Sequence, residues 1–343
     1  MASLLISFII CAVMLLALGF NPLNAYFRMV RGSFGSISRI SESLLQAIPL
    51  MFCALGVSVS FKMSLNNIGA EGQFMWGAFA ATFVVLYCPW IPERLVIPAM
   101  FAAGFLAGGL WAVLAAAPRA FWGINETLIT LMFNYIALRW VDYWLYGPWR
   151  DTATDATNLP YSKPFPPQAV LNPIGDTRLN NSLFIALAAA LVILLFFKIT
   201  VRGYQIRVIG ASQKAARYAG MNIAANVLFV MLVSGGLAGM AGVAQVAGPI
   251  GRLQPAISNG NGYTAIVIAY LAKFNPLIVV LVSIVFGGMS QGGFSLQIVK
   301  IPPQIVTVIQ GLILFCVLGG EIFSRNRLVF TRVNASDTRE AQK

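Results

Sequence analysis

Apolar stretches close to the length of a bilayer-crossing helix recur along the whole chain, and this limits the fold more than any other feature. A helix needs about 18 to 20 predominantly apolar residues to cross the hydrocarbon of a membrane. Runs near that length occupy residues 3–20, 44–61, 69–88, 94–117, 124–146, 182–200, 225–248 and 304–321, with a shorter pair at 262–272 and 276–289. Lipid offers no partner to an open backbone, so the expected fold class is all-α: a single polytopic membrane helix bundle of about ten spans, some of them short or interrupted. Composition agrees, because the 343 residues are 58% hydrophobic and 10% charged, whereas soluble domains carry about 25% charged residues. Mean hydropathy is +0.78.

A net charge of +12 would suggest nucleic acid in a soluble protein, where basic residues gather beside stacking aromatics. Here Lys and Arg sit at the ends of apolar runs and in the connections, the pattern that orients membrane helices, and no nucleic-acid partner is expected. The segment 202–222 carries Arg202, Arg207, Lys214 and Arg217 without an acid, and the tail 322–343 carries Arg325, Arg327, Arg332, Arg339 and Lys343. Both are expected to be cytoplasmic. In the loop 147–181, Asp151, Asp155 and Asp176 balance Arg150, Lys163 and Arg178, and many prolines suit an extended external connection. Arg28, Arg31 and Arg39 conflict with this scheme, since the span count places them outside. Asn21 and Pro22 read as a helix cap and first turn, after which Leu23, Phe27 and Val30 lie along the interface with the arginines toward headgroups. The run 3–20 has no Lys or Arg before it and is read as a retained anchor, not a cleaved signal.

The absence of His removes the commonest general base and nitrogen ligand for zinc. Cys11, Cys53, Cys88 and Cys316 show no CxxC spacing, so they are read as thiols rather than as a disulfide framework or metal site. No Ser/His pairing or close pair of acids suggests catalysis.

Polar residues inside the apolar runs are the candidate functional groups. Asn66, Asn67, Glu71 and Gln73 crowd the start of one run among Gly69 and Gly72. Uncompensated polar groups are costly in hydrocarbon, so the cluster should face protein or water. Two readings fit: the lining of a solute route, or Asn67 as a helix cap with Glu71 near the helix's positive end. Thr127, Thr130 and Asn134 fall at i, i+3 and i+7 on one face, which suits either interhelical hydrogen bonding or solute contact. Arg139 and Asp142 are spaced for an ion pair. Gly235/Gly239, Gly104/Gly108 and Gly288/Gly292 have the small-xxx-small spacing of close helix packing, and Gln245 is the one polar residue deep in its run. The short runs 262–272 and 276–289 suit either interrupted helices at a transport site or a simple hairpin.

The segment GYQIRVIGASQKAARYAGMN predicts a short helix over Gln213 to Ala219, with Ser212 as N-cap and Gly220 as the residue that ends it. It is either a solvated loop helix or a docking element. At this point the chain resembles a known family, the permeases of bacterial ABC importers for nucleosides and simple sugars, within the branched-chain amino acid and ribose permease superfamily. The resemblance is carried by NPLNAYFRMVRGSFGS, PLMFCALGVSVSFKMSLNNIGAEGQFMWGA, INETLITLMFNYIA, the segment just quoted, and GYTAIVIAYLAKFNPLIVVLVSIVFGGMSQGG, in that order from about residue 20 to 320. The NIGAEGQ form is more similar to the nucleoside branch. Asn66 stands where an aromatic is common, and Tyr263 and Thr264 stand where Phe and Asp are usual, which bears on the identity of the solute.

The resemblance implies a permease that works in the bacterial plasma (inner) membrane beside a second permease, a cytoplasmic ABC ATPase and an external substrate-binding lipoprotein. It implies ATPase coupling through Arg207, Gly210, Ala215, Ala216, Arg217 and Gly220. No G-x-x-x-x-G-K-[ST] loop occurs in the chain, so ATP and Mg are expected only on the partner, and no cofactor is expected here. For an uncharged nucleoside or sugar, the expected route residues are Asn67, Glu71, Gln73, Asn134 and Gln245. A self-sufficient carrier with a proton site at Glu71 or Glu126 is the rival reading.

Overall fold

The computed structural model describes residues 2–152, 159–297, 300–302 and 304–325. Among these the chain forms α-helices α1 (Ala2–Ala17), α2 (Pro22–Phe34), α3 (Ile37–Lys62), α4 (Ala70–Tyr87), α5 (Glu93–Trp122), α6 (Glu126–Tyr146) and α7 (Ser182–Ile199). They continue with α8 (Val201–Ala211), α9 (Gln213–Tyr218), α10 (Ile223–Gln245), α11 (Asn261–Leu271), α12 (Pro276–Leu296) and α13 (Gln304–Arg325). The described residues contain no β-strand, only isolated bridges at Arg150/Ser162 and Pro173/Asn180. The all-α expectation holds.

Five helices, α3, α5, α7, α10 with its continuation to Ile250, and α12, are long and apolar enough to cross a membrane, or six if α1 and α2 count as one bent span. This falls short of the expected ten. The 18 residues of α4 and the 21 of α6 include the polar groups described below, and α11 is only 11 residues long. The expected short run 276–289 is instead the start of the 21-residue α12, because GGMSQGG continues the helix past the point where its hydropathy drops.

α3 is the centre of the bundle. Every residue from Ala47 to Phe61 is buried, and α10, α12, α11 and α7 pack around it. α7 is peripheral by contrast. It buries only Ser182, Ala186, Ala190, Ile193 and Phe197, a single stripe at helical spacing.

The glycine pairs make the packing possible. A Cβ on Gly239 would strike the carbonyl oxygen of Gly104, one on Gly108 the carbonyl oxygen of Gly235, and one on Gly77 the backbone of Gly239. α4, α5 and α10 thus meet backbone to backbone, as small-residue spacing allows in lipid, where apolar surface alone gives helices no reason to associate. Gly288 and Gly292 serve the α12–α2 contact, against Phe34 and Met29.

Two ends of the bundle are defined by α3, about 39 Å long at 1.5 Å per residue. Near its start Glu42 lies 3.7 Å from Arg178 of the 147–181 loop. At its finish the Lys62 carbonyl abuts Gly210 of α8. The 147–181 loop is not simply an exposed connection. Its described residues pair with the segment following α10: Leu171 N–H donates to Ala247 O at 2.7 Å, Phe165 N–H to Gly251 O at 2.8 Å and Ser162 N–H to Leu253 O at 3.0 Å. Phe165, Ala169 and Leu171 are buried there, and Trp149 is buried against Phe79 and Trp144. Hydropathy hides this, because the pairing uses backbone groups.

α1 and α2 meet at 115°. Asn21 caps α2 by accepting from Leu23 N–H at 3.0 Å, with Pro22 opening the helix. Leu23, Phe27 and Val30 are exposed, as an interfacial helix requires.

The backbone contact at Gly239 gives a prediction. Gly239→Leu should lower the melting temperature and monodisperse yield of the chain in detergent, since overpacking costs about 1–3 kcal/mol or more. Gly311→Ala, where an added Cβ meets nothing within 4 Å, should leave both unchanged.

Candidate functional site: a buried polar lattice

Between α3 and α4 the chain leaves helical geometry at Met63 and does not resume it until Ala70. Ser64 sits at φ 58 to make the turn, and the run that follows re-enters the bundle. Met63, Ser64 and Leu65 donate back to the last carbonyls of α3 and Asn67 N–H to Leu65 O, and the remaining buried backbone groups need partners from elsewhere.

α6 supplies much of what is needed. Asn66 N–H donates to Glu126 Oε1 at 3.1 Å, Ile68 N–H to Thr130 Oγ1 at 3.3 Å and Gly72 N–H to Asn134 Oδ1 at 2.8 Å. Asn134 Nδ2 returns a bond to Ile68 O at 2.9 Å and another to the Tyr263 hydroxyl at 3.2 Å. The stripe therefore runs Glu126, Thr130, Asn134 at i, i+4 and i+8. The expected Thr127 is replaced by Glu126, because Asn125 caps α6 through Thr127 N–H and turns Glu126 inward. Glu126 also pairs with Arg119 at 3.3 Å.

Asn67 spends all of its amide. Its Oδ1 accepts from Gly69 N–H at 2.9 Å and Gln73 Nε2 at 3.0 Å, while its Nδ2 donates to Gln73 Oε1 at 3.0 Å and Ser234 Oγ of α10 at 2.9 Å. Gly69, not Asn67, is the N-cap of α4.

Glu71 lies in the first turn of its own helix, at the positive end as expected, and also against the start of α11. Its carboxylate accepts from the Ser258 hydroxyl, from Gly260 N–H at 3.1 Å and from Gly262 N–H at 2.8 Å. A Cβ on Gly262 would meet the Glu71 backbone, so the starts of α4 and α11 touch. One carboxylate offsets the partial positive charge of both.

Asn67, Glu71, Gln73 and Asn134 are all buried around the start of α4; Asn67 and Gln73 bond each other, while Glu71 and Asn134 are satisfied by the backbone and hydroxyl groups named above. Gln245 stands apart. It ends α10, is also buried, and among the described residues makes no hydrogen bond to the other four. Sequence reasoning passed over Ser234, Ser258 and the hydroxyl of Tyr263 as parts of this lattice; Tyr263 keeps 39% of its surface exposed. Arg139 and Asp142 form their pair at 3.5 Å, with the arginine exposed.

At the opposite end from the 147–181 loop, α9 forms as expected. Ser212 Oγ accepts from Ala215 N–H at 3.3 Å, and Gly220 takes φ 70 after the helix. Ala216 is buried, whereas Arg207, Lys214, Ala215, Arg217, Tyr218 and Gly220 are exposed. A Cβ on Gly210 would strike the Lys62 carbonyl, and Ser64 Oγ donates to Gly210 O at 3.0 Å.

Residues 39–318 match the family described as branched-chain amino acid transport system / permease component. The chain belongs to that family. It is 34% identical over 328 residues to the glucose ABC transporter permease protein TsgB13 of Haloferax volcanii, covering 92% of this chain and 85% of that one. It is 28% identical to the nucleoside ABC transporter permease protein NupB of Lactococcus lactis, over 91% of this chain and 88% of that protein. With the guanosine ABC transporter permease protein NupP of Bacillus subtilis it shares 29% identity over 89% of this chain and 88% of the other. The chain is an ABC-transporter permease with several membrane-spanning helices, and not an enzyme.

The lattice predicts unequal costs. Asn134→Leu strands the Gly72 N–H and Ile68 carbonyl, each at about 1–3 kcal/mol, and should lower the melting temperature of the purified chain sharply. Gln245→Met should cost far less, because no lattice bond is lost.

Proposed function

We propose that this permease imports a neutral, hydroxyl-rich solute, a nucleoside in the first instance, across a bacterial plasma membrane by alternating access. It works with a second permease, an external substrate-binding lipoprotein and a cytoplasmic ABC ATPase that alone uses ATP and Mg. The observation that carries the reading is a pair of breaks, residues 63–69 and the chain before Asn261, whose Leu65, Asn67, Ile257 and Ser258 are buried in the bundle. Irregular backbone at depth is tolerated where it is buried in protein or borders a cavity, and transporters place such breaks at their solute routes.

In this reading the solute passes beside the lattice. Asn67, Glu71, Gln73 and Asn134 act chiefly by holding the broken segments in place, since their hydrogen-bonding groups are largely spent on protein. The half-exposed Tyr263, whose hydroxyl rests on Asn134, is the group best placed to meet a sugar hydroxyl. Gln245 is a separate candidate further along α10. A simple sugar is the second reading, favoured by the name of the Haloferax relative, and its chemistry at the route is the same.

Two paths lead from α9 to the lattice. One runs through α8, whose Gly210 abuts Lys62 and Met63 at the start of the broken segment. The other runs through α10, which begins at Ile223 directly after α9 and carries Ser234, bonded to Asn67. Force delivered by the ATPase at the exposed Arg207, Ala215, Arg217 and Gly220, with Ala216 seating the helix, reaches the lattice by both. A proton-coupled carrier would need no such docking helix.

The reading is tested in cells expressing the chain with the ATPase, second permease and binding protein encoded beside it. Labelled uridine, guanosine and glucose are supplied in parallel, and uptake of one class should vanish when the ATPase is made unable to hydrolyse ATP. Uptake that survives this, and disappears with an uncoupler at constant ATP, would identify a proton-coupled carrier. Gly210→Leu should abolish uptake while the ATPase still co-purifies; unaltered uptake would remove α8 from the coupling path.

A further inference from the structure

Three arginines, Arg28 and Arg31 of α2 and Arg39 of α3, converge on one cavity of about 280 Å³, lined also by Asn24, Phe27 and Ser295. Two of the guanidinium groups are held in place. Arg28 Nε donates to Asn24 Oδ1 at 2.8 Å, and Arg39 Nη1 donates to the Arg31 carbonyl at 2.8 Å. Each guanidinium carries five N–H donors, so most remain unspent. Among the described residues none of the three has a carboxylate within ion-pair distance. Glu42, the acid nearest in sequence, turns to Arg178 instead, at 3.7 Å. Three like charges around one cavity repel each other, and an anion at their centre would reverse the sign of that interaction.

The geometry also sets the depth of the cavity. Because α1 and α2 meet at 115°, an α1 that stands along the membrane normal leaves α2 about 25° from the membrane plane (115° less 90°). α2 presents three faces. Ala25, Met29 and Gly32 are buried against the bundle, Leu23, Phe27 and Val30 are exposed and apolar, and Arg28 and Arg31 lie between. The apolar face belongs at the acyl boundary, which puts the arginines level with phosphates. A soluble anion would use the charge and ignore the apolar face. A phospholipid uses both, and Phe27 belongs to the cavity and to the apolar face alike.

We propose that this cavity binds the phosphate of an anionic phospholipid through Arg28, Arg31 and Arg39, with the acyl chains running over Leu23, Phe27 and Val30. The bound lipid supplies the counter-charge that the protein lacks there. It also accounts for basic residues at the end of the bundle that carries the 147–181 loop, which the usual charge asymmetry of membrane proteins does not. The inference needs only a membrane-embedded chain, and stands whatever the solute.

The test uses the full chain, purified in neutral detergent and stripped of lipid. It is titrated separately with phosphatidylglycerol, phosphatidylcholine and glycerol 3-phosphate. Retained lipid is counted by native mass spectrometry, and affinity is read from the shift in melting temperature. Phosphatidylglycerol should bind and stabilise, and the other two should not. An interfacial basic residue contributes about fivefold to anionic lipid binding, so Arg28→Gln with Arg31→Gln should weaken it about thirtyfold. If that pair fails to give monodisperse protein, Arg39→Gln alone should weaken binding about fivefold and is read the same way. Undiminished phosphatidylglycerol binding in these variants overturns the proposal. So does equal stabilisation by glycerol 3-phosphate, which would mark a free-anion site. Loss of binding-protein association with lipid binding intact would assign the cavity to an acidic protein surface, and overturns it too.

Discussion

Much of the interior of this permease is arranged around one difficulty, a stretch of non-helical backbone whose alternate residues, Leu65, Asn67 and Gly69, are buried in the bundle. Met63, Ser64 and Leu65 still donate back to carbonyls of α3, but Asn66, Ile68 and Gly69 have only side chains to receive their amides, and an unpaired buried amide or carbonyl costs more than a made hydrogen bond returns. The side chains of Glu126, Thr130 and Asn134 stand in for the missing helical partners, one turn apart along α6. Asn67 and Gln73 close the other flank and tie it to α10. The cluster of amides that looks from its sequence like a lining for solute is therefore, first, what allows the break to exist.

The second constraint is distance. Hydrogen bonds of 2.8 to 3.3 Å from α6 to the broken segment and the first turn of α4 require helices that approach closely and do not slide. The glycines of α4, α5 and α10 provide that approach on one side. On another, Gly56 of α3 lies against the Ser234 carbonyl of α10, next to the hydroxyl that Asn67 holds. Removing side chains at these points brings the lattice within bonding range.

The all-α class, most helix positions, the glycine contacts, the α2 cap and the small helix α9 were legible, because each rests on local chemistry: apolar length, a capping Asn or Ser, a Gly at positive φ. What escaped was nonlocal. Glu71 was read against its own helix because nothing in the sequence says that α11, nearly two hundred residues on, begins beside it. The stripe Thr127, Thr130 and Asn134 fits one helical face, and only the Asn125 cap shows that Glu126 takes the inward place of Thr127. The 147–181 loop pairs through its backbone, and proline content and charge balance are blind to that. The ten expected spans are not all recovered by length and apolarity, because polar side chains that belong to the lattice sit within α4 and α6, which are of membrane length.

The carboxylate of Glu71 has a mechanical corollary. It is bonded at three points to the chain around Ser258, Gly260 and Gly262, so α4 and α11 are clamped into one rigid jaw. Any swing of that jaw must be absorbed by its neighbours, and the chain before it offers the pivot: Gly251 and Ala256, both ahead of the clamped residues, lie in left-handed backbone at φ 67 and 51. A permease built this way would gape by rocking a stiff piece on a short crooked joint, leaving its internal bonds intact through the stroke.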